Sequence, residues 1–343
     1  MKKYYLRYDY GTGNNAGPKA KKDINKILAE NDYKQIKVKF STNKVSRVLQ
    51  APIVWKRSMA NVYSSLIVIQ YPLYSDLYNK FLFKEIKKQK KKNNKFVAFI
   101  HDIEALRNTP DDKKNILEEI ERLKVFDYVV CHNDSMKKWL KSQGISAPIY
   151  SLKLFDYLSN DKKYLVNSDS DVINYAGNLN KALFLYKKFS NKKIYVYGPN
   201  KTSNFDFANY KGQYSPEDIP LHINEGWGLV WDGKSVTTLE GKMGNYLKFI
   251  TPHKLSMYIR SGIPVIVWKQ AAVYNFVKKN NIGIGIDKLT DVDDELANIS
   301  SEQYAQMRKS VLQLAEKLDE GYFTKKAIEV IEKYYTRETM KEK

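Results

Sequence analysis

The chain has 343 residues, 43% hydrophobic and 13% aromatic, which exceeds one ordinary domain and supplies apolar material for two cores, so wholesale disorder is excluded. A single cysteine, Cys131, excludes an internal disulfide framework and a cysteine-based zinc site, and fits a reducing, cytoplasmic compartment. The formal charge of +20 favours anionic partners (nucleic acid, anionic lipid, phosphorylated substrates) without choosing among them, and a Lys- and Asn-rich compositional habit accounts for it equally well.

The start, MKKYYLRYDYGTG, reaches Asp9 before any long apolar core, so it does not read as a secretory signal. No apolar run approaches the roughly 18 residues of a membrane span. Short apolar runs alternate with longer mixed segments: strands are expected at Tyr4–Tyr8, Gln35–Lys39, Ser65–Gln70, Phe96–Ile100, Tyr128–Cys131 and Ile149–Leu152, with helices at Lys19–Glu30, Val45–Asn61, Tyr74–Lys92, Asp112–Leu123 and Ser135–Gln143 between them. This is the rhythm of an α/β domain over residues 1–160. A polar linker follows near Asn160–Asp171, and the pattern restarts with VINYAGNL and continues through strands at Lys193–Tyr197, Leu229–Trp231, Pro264–Trp268 and Ile282–Ile286, giving a second α/β domain over 171–320. The tail reads as two helices parted by Gly321, the last of them (321–343) free either to form an interface or to cross back and brace the N-terminal domain.

Ligands of open α/β sheets bind beyond the carboxyl ends of strands, so residues just after strands matter most. After the first strand, Gly13, Asn14 and Gly17 precede a helix and either approach a ligand or form a plain turn; their spacing matches neither a dinucleotide fingerprint nor a P-loop. His101 and Asp102 end the strand FVAFI, where a carboxylate could take a proton from an acceptor hydroxyl, or the pair could brace a loop; Arg107 either fastens that loop or meets an anion. In YAGNLNKALFL, Gly177 permits a tight turn, while Asn178 offers amide contacts and Lys181 a phosphate contact, against the alternative of simple helix capping. In HINEGWGLVWDG, Trp227 either offers a flat face to a sugar ring or fills a core. In NYLKFITPHKLSMYIRSGIPVIVW, Lys248 and Lys254 could neutralise a diphosphate, and Asn245 and His253 could bind ribose or phosphate oxygens.

On FIHDIEALR, YAGNLNKALFL, GWGLVWDG and NYLKFITPHKLSMYIRSGIPVIVWKQAAV, the chain resembles the bacterial two-domain nucleotide-sugar glycosyltransferases of the branch containing Gtf3-type glucosyltransferases and β-1,6-galactofuranosyltransferases. The resemblance implies a GT-B architecture: two Rossmann-like domains facing across a cleft, with C-terminal helices. It also implies a UDP-sugar donor held by the C-terminal domain, a saccharide acceptor approached through N-terminal loops, and inverting transfer of galactofuranose or glucose in polysaccharide, lipid-linked saccharide or glycoprotein biosynthesis. It places Asn178 and Lys181 in the nucleotide-proximal turn and Asn245, Lys248, His253, Lys254 and Ser256 in the diphosphate and ribose segment. Asp102 becomes the preferred base, and a homo-oligomer is implied.

Apart from the donor substrate no cofactor is expected. The DSD of NSDSD lies in the expected linker, which with the available lysines favours metal-independent transfer. The lysine-rich segment Tyr74–Lys95 reads either as an amphipathic helix resting on an anionic inner membrane face, beside a lipid-linked acceptor, or as an ordinary crossover helix with solvated lysines. Standard nucleic-acid-binding signatures are missing and the tyrosines are dispersed, so no nucleic acid is expected. A non-catalytic sugar-nucleotide-binding or assembly module remains the alternative to an enzyme.

Overall fold

Strands that are apolar on both faces need cover on both, and the chain supplies it by threading helices between parallel strands. The computed structural model describes residues 1–8, 16–41, 43–73, 75–159, 170–199, 201, 204–239 and 241–341, and it holds two six-stranded sheets. The first comprises β1 (Lys2–Tyr8), β2 (Lys34–Val38), β3 (Ser65–Tyr71), β4 (Lys95–Ile100), β5 (Tyr128–Cys131) and β6 (Ile149–Ser151), in the order β2-β1-β3-β4-β5-β6. The second comprises β7 (Val172–Ala176), β8 (Lys193–Tyr197), β9 (Asn209–Gly212), β10 (Trp227–Val230), β11 (Val265–Trp268) and β12 (Gly283–Ile286), in the order β12-β11-β10-β7-β8-β9. Every described pairing is parallel.

Register decides which side chains share an edge. Tyr71 pairs with Ile100 and Phe99 with Val130, so the residues after β3, β4 and β5 come out side by side, His101 and Asp102 next to His132. In the second sheet the chain moves outward from β7 through β8 to β9, then returns to the other side of β7 as β10. That reversal opens a crevice beyond the ends of β7 and β10, the place where such sheets bind ligands.

The two halves are fastened at the polypeptide that leaves β6. Phe155 O accepts from Ser256 Oγ at 2.6 Å, and the buried Asp156 carboxylate accepts the N–H groups of Phe323 and Thr324 at 3.0 and 2.7 Å, capping the last helix, Tyr322–Lys341. Burial pushes Asp156 up to about 6, with those bonds opposing the shift. The last helix lies against the first half: Glu332 accepts from Lys3 Nζ at 3.2 Å and Tyr33 OH at 3.0 Å, and Tyr334 packs edge-on to Tyr128. The helix before it, Ser301–Asp319, opens on a reciprocal Ser300–Gln303 capping box and is tied to the helix His253–Arg260 by the buried Arg260–Asp319 ion pair at 2.7 Å.

Two expectations change. The edge strand β9, NYKG, was not foreseen, because it is almost wholly exposed and has no apolar pattern. β10 starts at Trp227 rather than Leu229, and this puts the tryptophan inside the sheet. Residues 160–169 of the expected linker lie outside the described residues. Among the described residues, no helix is long and apolar enough to cross a membrane.

Candidate active site

Asp102 sits one residue past His101 at the carboxyl end of β4, about one-fifth exposed at its side chain (19%). Its Oδ2 accepts from Arg107 Nη1 at 2.8 Å, and its Oδ1 accepts from the Tyr246 hydroxyl at 3.1 Å. Tyr246 belongs to the short helix Lys242–Leu247 of the second half, and its oxygen also accepts the Ile103 N–H at 2.9 Å. Both halves of the chain therefore grip the same carboxylate turn. From below, Glu119 accepts the N–H groups of Glu104 and Ala105 at 2.9 and 2.5 Å and the Tyr71 hydroxyl at 2.9 Å.

His101 turns away into a buried polar chain. Gln70 donates its amide to Lys21 O at 3.0 Å and Asn25 Oδ1 at 2.7 Å, so its oxygen is left to accept, and His101 Nε2 donates to it at 2.7 Å. The ring stacks on Phe155 at 5.3 Å. Burial, reinforced by the Lys21 ammonium, holds the imidazole well below its ordinary pKa, so it is neutral. Lys21 donates to Pro72 O at 2.9 Å; burial pushes its pKa down to about 7 against the pull of Asp102 and Glu104.

His132 follows β5 as His101 follows β4. Its Nδ1 accepts the Thr251 N–H at 3.1 Å, so the proton must be on Nε2, which donates to His101 O at 2.9 Å. Thr251 Oγ1 accepts from Asn133 Nδ2 at 3.2 Å and donates to Lys153 O at 3.1 Å. Burial pushes His132 down to about 4.

The facing edge is made largely of backbone. Gly177 follows β7 with its N–H on Tyr197 O at 3.1 Å, and Gly198 crosses it so closely that a Cβ there would lie 1.9 Å from Gly177 O. Tyr258 fixes the helix His253–Arg260 beneath this turn: its hydroxyl accepts the Ala176 N–H at 2.8 Å and donates to Leu229 O at 3.3 Å. Lys254 Nζ is held by Asp232 at 2.9 Å, by Tyr175 OH and Trp231 O, both at 3.3 Å, and lies 4.4 Å over the Tyr175 ring. The residue ahead of that helix is Pro252, which gives it no side-chain cap; its O accepts the Leu255 N–H at 2.9 Å, and the helix start carries the positive end of the dipole.

Of the residues singled out from sequence, Asn178 and Asn245 are exposed, Asn178 also accepting the Asn180 N–H at 3.0 Å, and Lys248 lies 5.4 Å over the Trp268 ring. Lys181 closes the 3-10 turn Leu179–Lys181, and Gly17 lies in the first turn of the helix Ala16–Glu30. Gly13 and Asn14 lie outside the described residues.

Other assignments are corrected. Trp227 is 1% exposed and packs on Tyr304 at 5.0 Å, so it fills the core and has no face for a sugar. Ser256 is fully buried on Phe155 O, a clamp between the halves rather than a phosphate ligand. The His253 ring lies against Tyr157 at 5.2 Å and Phe155 at 5.9 Å with both nitrogens sealed and unpartnered, and burial takes it to about 3; its side chain does not reach the crevice. Arg107 braces Asp102.

Lys21, Glu119, His132, Tyr246 and Thr251 were missed. His132 had the same signal as His101, a polar residue directly after an apolar strand. The others act through partners far away in sequence.

Against known proteins, residues 3–154 match the glucosyltransferase 3-like N-terminal domain and residues 173–331 the glucosyltransferase 3-like C-terminal domain. The chain is 34% identical over 252 residues to the β-1,6-galactofuranosyltransferase WbbI of Escherichia coli K12, covering 71% of this chain and 73% of that one. It is 24% identical to glucosyltransferase 3 of Streptococcus gordonii, over 90% and 92% of the two chains. Among solved structures, an α-glucosyltransferase in complex with UDP and a 13-mer DNA superposes with a TM-score of 0.61 at 12% identity, over 96% of this chain and 99% of that one, and an OtsA apo structure with 0.57 at 9%, over 95% and 92%. These neighbours establish the GT-B fold that the resemblance implied. With both halves matched by one family and a relative of that kind covering most of its length, the chain belongs to the glucosyltransferase 3-like family and is a GT-B glycosyltransferase.

Proposed function

We propose that the protein transfers a hexose, galactofuranose or glucose, from a UDP-sugar to a glycan acceptor with inversion at the anomeric carbon. The observation that carries the reading is the start of the helix His253–Arg260, which has no side-chain cap and sets Lys254 Nζ 3.6 Å from where a Cβ on Gly177, just after β7, would stand. Such a helix start suits a diphosphate, because unpaired N–H groups and the helix dipole both favour negative charge. Names of relatives support the two sugars, and UDP in a structural neighbour supports the nucleotide.

In the reaction, the acceptor oxygen attacks the anomeric carbon from the side opposite the diphosphate, the carbon–oxygen bond to UDP breaks, and UDP leaves with the electron pair. The acceptor proton passes to Asp102, whose carboxylate is held at the strand end by Arg107 and Tyr246. Charge growing on the diphosphate meets the His253 and Lys254 N–H groups and the ammonium groups of Lys248 and Lys254. We assign the sugar or ribose hydroxyls to the amides of Asn178 and Asn245, both exposed. We assign the stabilisation to these groups rather than to a metal.

Calorimetry with UDP, UDP-glucose, UDP-galactopyranose and UDP-galactofuranose, with and without EDTA, tests the donor. UDP-release assays on simple glycosides and lipid-linked acceptors then test the transfer. EDTA-resistant binding with one donor turned over is expected. Binding without turnover on any acceptor would leave a binding module, and no binding at all would overturn the donor assignment. Asp102→Asn should lower turnover by about 10²–10⁴-fold with UDP binding kept; near-normal turnover would remove Asp102 as the base.

A further inference from the structure

The helix Lys44–Ser58 carries two apolar stripes side by side. Ala51 and Trp55, with Met59 just beyond, are buried, and Trp55 Nε1 donates to Tyr78 O of the neighbouring helix Asp76–Lys90 at 3.0 Å. The second stripe lies open: Val45, Val48, Leu49 and Ile53 are 70, 59, 70 and 39% exposed, with Pro52 exposed between them. A single exposed aliphatic residue is ordinary, but a row at spacings of three and four on one helix is a contiguous apolar patch, which implies a partner.

Its own stretch of sequence carries charge of one sign. From Tyr33 to Ser75 the sequence has no Asp or Glu, while Lys56 and Arg57 stand exposed at the end of the same helix. The neighbouring helix adds exposed Lys80, Lys84, Lys87 and Lys88. That second helix keeps its own apolar side chains inward, with Leu82 and Ile86 in the core, so it contributes charge rather than insertion. Topology sets the position: β2 runs parallel to β1, so the chain leaves Val38 at the edge that bears the cleft, and the first turns of Lys44–Ser58, with Val45, Val48 and Leu49, begin near that edge.

We propose that the helix Lys44–Ser58 is the element by which this protein docks on an anionic lipid surface, with Val45, Val48, Leu49 and Ile53 entering the headgroup boundary and the flanking Lys and Arg lying among the lipid phosphates. A second copy of the chain is the poorer occupant, because a two-fold contact would set this lysine- and arginine-rich surface against itself. Lipid supplies both the apolar layer and the opposite charge. The proposal stands apart from the donor assignment, and its readout is binding rather than transfer.

The test uses the full chain and co-sedimentation with vesicles of phosphatidylcholine alone or mixed with phosphatidylglycerol, at low and physiological salt. Binding is expected only to the mixed vesicles. Val48→Asn combined with Leu49→Asn should weaken it about tenfold or more, with the melting temperature and UDP binding unchanged. Lys56→Gln with Arg57→Gln should weaken it less and reduce its salt dependence. As a direct probe, Leu49→Trp should shift its fluorescence to the blue on mixed vesicles. Wild-type protein left in the supernatant at low salt would overturn the proposal. So would vesicle binding that the apolar substitutions do not change, or a wild-type dimer that those substitutions convert to monomer.

Discussion

At the N-terminal sheet, the strand ends carry side chains already bonded to one another: His101 to Gln70, His132 to His101 O and Thr251, Asp102 to Arg107 and Tyr246. At the C-terminal sheet, the corresponding ends carry glycines crossing at close range and a helix that begins without a cap. The first edge is a buried polar network that holds one carboxylate in one place. The second brings backbone to backbone at Gly177 and Gly198, with Lys254 and Tyr258 fixed beneath the turn. A reaction that needs a fixed base facing a bulky charged leaving group requires both kinds of edge, and the contrast can be broken from either side.

The largest effect is expected at the backbone crossing. Gly198 has φ of +136°, where an L side chain is strained, and a Cβ would meet Gly177 O at 1.9 Å. The atom in the way is backbone, so no side chain can swing aside. Gly198→Ala should cost about 3 kcal/mol or more of stability and weaken UDP binding together with it. A denaturant midpoint close to wild type, with UDP still bound, would show that the turn after β7 is not held by this contact.

The N-terminal edge should instead fail in acid. Burial holds His132 at about 4 against an ordinary 6.5, and His101 and His253 are depressed as well, so the folded protein keeps these rings neutral. Between pH 6.5 and about 4 the unfolded chain takes up protons that the folded one refuses, so stability falls as pH falls and is unaffected by these groups above 6.5. For His132 the drop from 6.5 to about 4 corresponds to about 3 kcal/mol at most. Urea titrations from pH 7 to 4 should show the loss. His132→Gln should be less stable at pH 7, having lost an ordered link to Thr251, yet lose less on acidification. An unchanged slope would mean the ring is not held neutral.

Much of the fold was legible because its strands are continuous apolar runs such as SLIVIQY and FVAFI, which parallel sheets require on account of being covered on both faces. The exposed NYKG strand was not, since nothing in its pattern distinguishes an edge strand from a loop. In the site, the position of Asp102 followed from its place after β4. The partners that give it meaning did not: Tyr246 is 144 residues away, and Thr251 is 119 from His132. For Trp227 the sequence left a sugar-facing loop and a core residue open, because glycines on either side look like a loop, whereas Gly228 is there to admit the Tyr258 ring, which lies 2.2 Å from where its Cβ would stand.

The smallest and sharpest test lies where the two edges touch. The Tyr246 hydroxyl accepts from the buried Ile103 N–H and donates to Asp102, and its neighbours in sequence, Asn245 and Lys248, belong to the proposed donor segment. Tyr246→Phe keeps the ring in the core of the first half but leaves the Ile103 N–H unpaired, a cost of about 1–3 kcal/mol in stability. If the hydroxyl serves to aim the base, kcat should fall several-fold while KM for the donor stays near wild type, because both bonds lost, to Asp102 and to Ile103 N–H, hold the turn that carries the carboxylate. If KM for the donor rises and kcat holds, the hydroxyl instead sets the position of the donor segment, and the base is aimed without it. Arg107→Lys separates these cases further, since a lysine keeps the charge beside Asp102 but cannot reproduce the geometry of the guanidinium. Paired with Tyr246→Phe, it should lower kcat by more than the product of the two single effects if both donors aim the same carboxylate.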